Sequence, residues 1–445
     1  MRLVCLIGAV VLVVPLASRS LGTATECFCD SWNPRQKDAP RVCSASCCAL
    51  NHTQVCLPPP SPNPETLVNF VNVNGSYEVG ALRGYNQTQL QVQLNATGSR
   101  GWVIHLSGGG WGAPKNNTGS DELNDDGVKS GLGGVGPYSG CYKHCDGILS
   151  NDPVQNPMFC EYNKAFLPEN DGSSYTANLE NPVPGMSGKP HYFRGARILS
   201  ATIAFFLRDY DMKSATDVIL TGTSSGGMGV YLNCDRVADQ IHAANPEIRV
   251  SCLADAGMFL DYPTRTGFFR DAFYSWNSSG ALNQDCIAHY TALGTPWKCI
   301  LSQYAAPFIK TSLFIAQTTF DSYQMHYFLQ VFGCWSYGNE PYGPNCRPET
   351  LDKINEYGAW MRGNVTTALA GQSAPRGAFV PICSAHGQTT ENEHPAGLWN
   401  WPARWSIGDA TPMSAFEAWY HRKEAGSYVI EDGTLQSNSK CLVMT

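Results

Sequence analysis

The feature that most constrains this chain is the motif Gly222-Thr223-Ser224-Ser225-Gly226, which follows residues 217–221 with their short apolar run Val218-Ile219-Leu220. Those residues are rich in β-branched side chains and predict a strand, and the pattern of residues 228–243 predicts a helix. A serine between such elements is typical of a nucleophile elbow, a sharp turn that exposes the hydroxyl of Ser224. The turn needs neighbours without bulk, which Gly222 and Gly226 supply. The alternative interpretation is a glycine-rich turn without chemistry.

Composition narrows the class of protein. The chain has 445 residues, 43% of them apolar, so it can bury one large core as a single α/β domain. Its formal net charge is −7 and it contains no basic run, which argues against a nucleic-acid partner.

The first 24 residues have the pattern of a secretory signal peptide. Arg2 precedes the apolar residues 3–16, and small residues follow at 17–24. The apolar run is too short for a comfortable membrane span, and no later stretch approaches one. We therefore expect a protein that is secreted, extracellular or in a cell wall, with no stable membrane insertion after signal cleavage. An uncleaved anchor is the alternative.

Cysteines agree with export. The chain has 18, of which Cys5 lies in the signal, and so many in an exported protein predict disulfides rather than metal ligands. The remaining number is odd, so at least one thiol is free or pairs with another chain. Sequons for N-glycosylation occur at Asn51, Asn74, Asn86, Asn95, Asn116, Asn277 and Asn364.

Residues 25–64 form a cysteine-rich N-terminal extension that ends in a proline-rich linker. Few aliphatic residues separate its cysteines, so disulfides must hold it together. It is either a small binding module or an extension tied onto the main domain. Residues 65–445 form the predicted catalytic domain.

Further apolar runs predict the strands of that domain. Alternation in residues 89–94 indicates a strand at an antiparallel edge, and residues 102–106 have the pattern of a buried strand. Residues 249–255 end in Asp255, a run starting at Leu313 ends at Asp321, and residues 378–383 lead to His386. Helix-spaced apolar residues at 192–208 lie between strands. The polar residues 113–150, with Cys141 and Cys145 as tethers, are expected to form a surface insertion.

Strands that alternate with helices indicate a mainly parallel sheet with helices on both faces. Groups at the carboxyl ends of such strands meet at one edge. Ser224, Asp321 and His386 follow strands in the order Ser, acid, His that α/β-hydrolases use. The predicted fold is therefore α/β-hydrolase-like, with long disulfide-tethered loops. Asp255 is a rival for the acid, and His394 is a rival for the base.

The glycine run at residues 107–112 follows the early buried strand. Esterases use such a loop as half of an oxyanion hole, in which backbone N–H groups bind the developing oxyanion. The alternative is a flexible loop. His105, inside the apolar strand, is interpreted as a core histidine rather than a base.

Across residues 79–420 the chain resembles the pectin acetylesterases and the related Notum-type carboxylesterases. The resemblance rests on an ordered series of short motifs at residues 102–111, 147–150, 156–157, 171–174, 193–195, 222–227, 255–257, 320–324 and 383–386. Gly112 and Asn170 stand where plant members have cysteines, so their disulfide map does not transfer. Tyr323 stands where plant members have tryptophan.

The resemblance implies catalytic roles for Ser224, Asp321 and His386, and favours Asp321 over Asp255. It implies oxyanion donors at the backbone N–H groups of Gly110, Trp111 and Ser225. The predicted function is a serine carboxylesterase, without metal or cofactor, acting on O-acetylated polysaccharide such as pectin. Removal of a fatty acyl group from a protein is the second hypothesis, and a catalytically inactive glycan-binding protein is the third.

The predicted walls of the acyl pocket are bulky and suggest a small pocket. They are Trp111, Met258, Phe259, Phe320 and Tyr323, of which Phe259 and Tyr323 are the predicted substrate-binding residues. Trp399, Trp401 and Trp405 either stack on sugar rings or anchor loops.

Overall fold

A computed structural model describes residues 66–70, 88–95, 97–112, 147–169, 171–184, 190–331, 346–370, 374–389, 405–422 and 427–435. The predicted signal peptide, the cysteine-rich extension, Cys141, Cys145, His394, Trp399 and Trp401 lie outside these ranges.

Strands and helices alternate along the described residues. The strands are β1 (Thr66–Phe70), β2 (Thr88–Gln93), β3 (Gly101–Leu106), β4 (Asn163–Leu167), β5 (Val183–Pro184), β6 (Pro190–His191), β7 (Asp217–Thr223), β8 (Arg249–Asp255), β9 (Ser312–Ala316), β10 (Phe320–Asp321), β11 (Arg376–Val380), β12 (Ser384–Ala385) and β13 (Ser427–Ile430). The α-helices are α1 (Gly195–Asp209), α2 (Ser225–Ala244), α3 (Pro263–Ser275), α4 (Gln284–Ala292), α5 (Ser302–Ala305), α6 (Ser322–Tyr327), α7 (Pro348–Leu369) and α8 (Pro412–Arg422).

One sheet organises the described part of the chain, in the order β1-β2-β4-β3-β7-β8-β9-β11-β13. β1 and β2 pair antiparallel, as do β2 and β4, and every pairing from β4 to β13 is parallel. The antiparallel edge and the mainly parallel sheet expected from the sequence are both confirmed.

Helices cover both faces of this sheet, because the central strands are apolar on both sides. Val218 and Leu220 of β7 pack in a core that includes residues of α1, α2 and α7. Ile219, between them, points to the other face and packs in a second core with Phe416 of α8. The α/β-hydrolase-like fold is thereby confirmed.

Three strands of the sheet were not predicted, β1, β4 and β13. β4 carries Lys164, whose charge is atypical of a buried strand. Its side chain is 4% exposed, and its ammonium donates to the carbonyl oxygens of Cys160 and Tyr162 and to the side chain of Asn151. These bonds compensate the burial of a cation.

Residues 147–150 differ from the predicted surface insertion, since they are buried. Ile148 packs in the second core. The amide of Asn156 donates to the carbonyl oxygens of Ile148 (2.8 Å) and Ser150 (2.9 Å), so a single side chain satisfies two buried acceptors. The expectation of a polar surface segment was wrong at this end.

The strands that lead to Asp321 and His386 are also shorter than predicted. β9 ends at Ala316 and β11 ends at Val380, next to Pro381, which has no N–H to continue the ladder. The two segments then pair again as β10 and β12, with Asp321 opposite Ala385. This second, two-residue pairing places Asp321, and Ala385 just before His386, beyond the main sheet.

Two disulfides join described cysteines. Cys234–Cys252 links α2 to β8, and Cys286–Cys299 links α4 to the following 3-10 turn Pro296–Ile300. No helix in the described ranges combines the length and the hydropathy needed to cross a bilayer.

Candidate active site

Ser224 lies on the predicted elbow, between β7 and α2. Its backbone has φ 62° and ψ −127°, a left-handed conformation that a residue with a side chain rarely adopts. A Cβ on Gly226 would lie 2.1 Å from the carbonyl oxygen of Leu106, so the elbow packs on β3 only because this position is glycine. The local strand–turn–helix is the one that the sequence indicates.

His386 connects Ser224 to Asp321. Its Nε2 lies 2.7 Å from the hydroxyl oxygen of Ser224, and its Nδ1 lies 2.8 Å from a carboxylate oxygen of Asp321. The side chain of His386 is 7% exposed and that of Asp321 is fully buried. The three predicted residues are therefore brought into one hydrogen-bonded chain at the carboxyl edge of the sheet.

Besides His386, two further groups hydrogen-bond to the carboxylate of Asp321. It accepts from the backbone N–H of Gln324 (2.9 Å), which makes it the N-cap of α6, and from the side-chain amide of Gln317 (3.1 Å). Hydrogen bonds and a helix N-terminus both stabilise a buried negative charge.

Asp255, the rival acid, is held by different partners. It accepts from the backbone N–H groups of Gln388 and Thr389 and from the hydroxyls of Thr389 and Thr223. Burial raises the pKa of this carboxyl, and those hydrogen bonds oppose the rise. Asp255 thus ties the segment after His386 to the end of β8, a role that the sequence did not suggest.

The glycine loop after β3 lies directly against the elbow. A Cβ on Gly108 would lie 2.4 Å from the carbonyl oxygen of Thr223 and 2.7 Å from Cβ of Ser224. The backbone N–H groups of Gly110 and Trp111 have no acceptor among the described residues. Ser225 is the first residue of α2, where N–H groups have no intrahelical acceptor. Gly110 and Trp111 thus belong to the loop that packs on the elbow at Gly108, and Ser225 directly follows Ser224.

Aromatic side chains surround the histidine. Tyr323 stacks on the His386 ring at 5.2 Å between centroids, and Phe259 lies 6.3 Å from it, edge to face. Trp111 packs edge to face on Phe259 at 4.7 Å. We call these residues and their neighbours the aromatic cluster; it comprises Trp111, Phe259, Phe268, Phe269, Tyr323 and Phe328.

Two predicted pocket walls do not belong to this cluster. Phe320 and Met258 are fully buried in the main core of the sheet. The Phe320 ring lies against Gly358 of α7, where a Cβ would be 2.4 Å from a ring carbon. Successive side chains along a strand point to opposite faces, so the neighbour of a site residue can point into the core instead of the pocket. The prediction was wrong for these two residues.

The remaining predicted residues with described side chains lie in the core. His105 is buried in β3 and stacks on Phe166 at 5.6 Å, as expected of a core histidine. Trp405 is 4% exposed.

A mainly parallel sheet with a serine elbow at its carboxyl edge places the protein in the class of α/β-hydrolase-like enzymes. The model of the pectinacetylesterase family matches residues 84–442, and the chain belongs to this family. It is accordingly a carboxylic ester hydrolase.

Comparisons with individual proteins agree with this family assignment. The chain is 28% identical to pectin acetylesterase 5 of Arabidopsis thaliana over 323 residues, 70% of each protein. It is 27% identical to the palmitoleoyl-protein carboxylesterase Notum of Drosophila melanogaster over 284 residues, 62% of this chain and 38% of that protein. A crystal structure of the Wnt deacylase Notum from Drosophila shares the fold, with a TM-score of 0.67 and 24% identity over 85% of this chain and 99% of that one.

Proposed function

We propose that the protein is a secreted serine carboxylesterase that removes O-acetyl groups from a polysaccharide such as pectin. The observation that carries the proposal is the hydrogen-bonded chain from Ser224 through His386 to the buried Asp321. An isolated serine hydroxyl is a poor nucleophile at neutral pH, and this arrangement supplies the base that it needs.

The reaction follows from the positions of these groups. Nε2 of His386 takes the proton of Ser224 as the serine oxygen attacks the ester carbonyl, and Asp321 stabilises the imidazolium. The N–H groups of Gly110, Trp111 and Ser225 hydrogen-bond to the oxyanion of the tetrahedral intermediate. The imidazolium then protonates the ester oxygen of the sugar as its bond to the acyl carbon breaks, and the sugar leaves with a free hydroxyl. Water, deprotonated by the same histidine, hydrolyses the acyl-enzyme to acetate and free Ser224.

The choice of acetyl rests on the aromatic cluster and on the family. Trp111, Phe259 and Phe269 are at most 6% exposed, the Trp111 ring packs on the other two, and Phe259 lies beside His386. From this dense packing we infer a short acyl pocket. The family model and pectin acetylesterase 5 also support an acetyl ester as substrate. The signal-like residues 1–24 support secretion.

Removal of a fatty acyl group from a protein is the second candidate function. The apolar character of the cluster supports it: a long acyl chain that displaced these rings would gain about 0.8 kcal/mol per buried methylene. A relative named as a palmitoleoyl-protein carboxylesterase points in the same direction.

The preferred acyl length distinguishes the two candidate functions. We expect a higher kcat/KM on 4-nitrophenyl acetate than on the octanoate, and release of acetate from acetylated pectin or xylan. Ser224→Ala should abolish both activities and labelling by a fluorophosphonate probe. Ser214→Ala, which removes a serine hydroxyl near the opposite end of β7, should change neither.

A preference of tenfold or more for the octanoate, with no acetate released, would assign the protein to the second function. Absence of labelling in the folded wild-type protein would contradict the serine mechanism and favour an inactive glycan-binding protein.

A further inference from the structure

A loop that includes Glu169 and residues 171–176 contacts both halves of the proposed oxyanion hole. The indole N–H of Trp111 donates to the hydroxyl of Ser174 (2.9 Å), and this hydroxyl donates to the carbonyl oxygen of Ser225 (2.8 Å). Ser174 is fully buried. One hydroxyl therefore connects a residue of the glycine loop to a residue of the elbow.

Glu169 provides a second connection from the same loop. One of its carboxylate oxygens accepts from the backbone N–H of Ser174, and the other accepts from the hydroxyl of Ser225. Glu169 is fully buried. The backbone adds a third link, since the N–H of Gly112 donates to the carbonyl oxygen of Gly172 (2.8 Å).

The backbone of this loop is held in an unfavourable conformation. Ser174 has φ 47° and Tyr175 has φ 60°, both in the left-handed region although neither is glycine. Such conformations cost about 1–3 kcal/mol and persist where surrounding contacts determine them. The hydroxyl of Tyr175 donates to the carbonyl oxygen of Leu167 (2.6 Å), which holds the strained turn against the end of β4.

Separate segments of the chain supply the donors of the hole: Gly110 and Trp111 follow β3, and Ser225 begins α2. An oxyanion hole works only if its N–H groups converge on one oxygen, within a few tenths of an ångström. A group that touches both segments can set their separation. Ser174 touches both segments, Glu169 touches Ser174 and Ser225, and both side chains are fully buried.

We propose that Ser174 and Glu169 are positioning residues that hold Trp111 and Ser225 at the separation which the oxyanion requires. The inference rests on the proposed function, because it assumes that Ser224 is the nucleophile.

The direct test is Ser174→Ala, which removes the bridging hydroxyl. We expect kcat per active site, counted by fluorophosphonate titration, to fall about tenfold while KM changes less than about twofold. Affinity for an aryl trifluoromethyl ketone, whose adduct with Ser224 carries an oxyanion, should fall by a similar factor. Ser174→Gly removes the same hydroxyl and relaxes φ, so it serves if the alanine variant folds poorly.

Thr176→Val is the matched control. Thr176 is also fully buried, and its hydroxyl hydrogen-bonds to the carbonyl oxygen of Ser173 (2.7 Å) and to Ser278 (3.0 Å), away from Trp111 and Ser225. The control should lose stability but keep kcat per titrated site.

Glu169→Gln tests the second connection. A glutamine can accept from the N–H of Ser174 and donate to the hydroxyl of Ser225, so it should keep kcat within about threefold, whereas Glu169→Leu should lose about tenfold.

Equal kcat per site in wild type, Ser174→Ala and Ser174→Gly, with unchanged affinity for the ketone, would overturn the inference and leave the proposed function intact. Equal losses in Ser174→Ala and Thr176→Val would also overturn it, since the effect would then be general to the loop. A folded wild type that the fluorophosphonate does not label would instead contradict the proposed function.

Discussion

At the scale of single residues, two buried aspartates lie near the end of the central strands and have different partners. Asp321 accepts from the His386 ring, and Asp255 accepts from the segment just after that histidine. A carboxylate that touches the imidazole controls its tautomer and stabilises its charge, whereas one that binds the backbone only places the segment.

We therefore expect different defects from the two amide substitutions. Asp321→Asn should lower kcat roughly 10³-fold or more with little change in stability. Asp255→Asn places an amide NH₂ among N–H and O–H donors, so it should lower the free energy of unfolding by about 2 kcal/mol or more and lower kcat per site less than about tenfold. Kinetics with active-site titration and urea unfolding measure both. The opposite ranking of kcat would assign the acid to Asp255.

At the scale of elements, the two-residue strands β10 and β12 decide where the acid and the histidine meet. Their pairing sets Asp321 opposite Ala385, next to His386. Such a short ladder has little stability of its own. Phe320 is the residue before Asp321. Its ring packs in the core that the sheet shares with α7, against Gly358, and we expect this packing to fix the position of β10.

Two glycines of α7 test this support. A Cβ on Gly358 would lie 2.4 Å from the Phe320 ring, whereas a Cβ on Gly363 would meet nothing within 4 Å. Gly363→Ala should raise the stability by about 0.5–1 kcal/mol through helix propensity alone. Gly358→Ala should lower both the Tm and kcat, because the ring must move and Asp321 with it. Calorimetry and kinetics compare the two, and an unchanged kcat in Gly358→Ala would show that β10 does not depend on α7.

At the scale of the whole molecule, the loop behind the site buries two carboxyl groups. Burial raises the pKa of Glu169 to about 8, against the opposing hydrogen bonds from Ser225 and Ser174. Burial likewise raises the pKa of Asp171 to about 6, although its carboxylate accepts from Ser173 and from the N–H of Gly195 at the start of α1. The folded state therefore binds protons that an unfolded chain releases at lower pH.

This difference makes stability depend on pH. An unfolded glutamate titrates near pH 4.3, so between about pH 4 and 8 the folded state binds more protons at Glu169, and its unfolding free energy falls as pH rises. The Glu169→Gln side chain resembles the protonated form of Glu169, so the variant should not lose unfolding free energy in this way as the pH rises. Urea unfolding near pH 5, 7 and 9 should show the variant gaining stability relative to wild type as pH increases.

The titratable groups that face Glu169 are Asp171 and Tyr175, and both remain in the variant. The matched control is Glu247→Gln, because Glu247 is exposed to solvent just before β8. This variant should show no such trend. If the difference in unfolding free energy between wild type and Glu169→Gln were the same at all three pH values, the Glu169 carboxyl would titrate alike in the folded and unfolded states.

The sequence alone determined the elbow, most of the parallel strands and the helices α1 and α2 on either side of β7, because these follow from local periodicity and from glycine at close approaches. The residues around Ser224 and the strand ending at Asp255 needed no tertiary information. β4 was missed because Lys164 hides its pattern, and the burial of Ile148 was missed because its partners are distant in the chain.

Only the tertiary structure decided which groups meet. His386 is 162 residues from Ser224 and 65 from Asp321, and no local pattern states the distances between them. The same holds for Asp255, whose partners lie 133 and 134 residues away, and for Glu169, which is 56 residues from Ser225. Strand and helix propensities act over a few residues, whereas a site depends on the order in which strands pair in the sheet. That order, and with it the placement of each carboxylate, exists only in the folded chain.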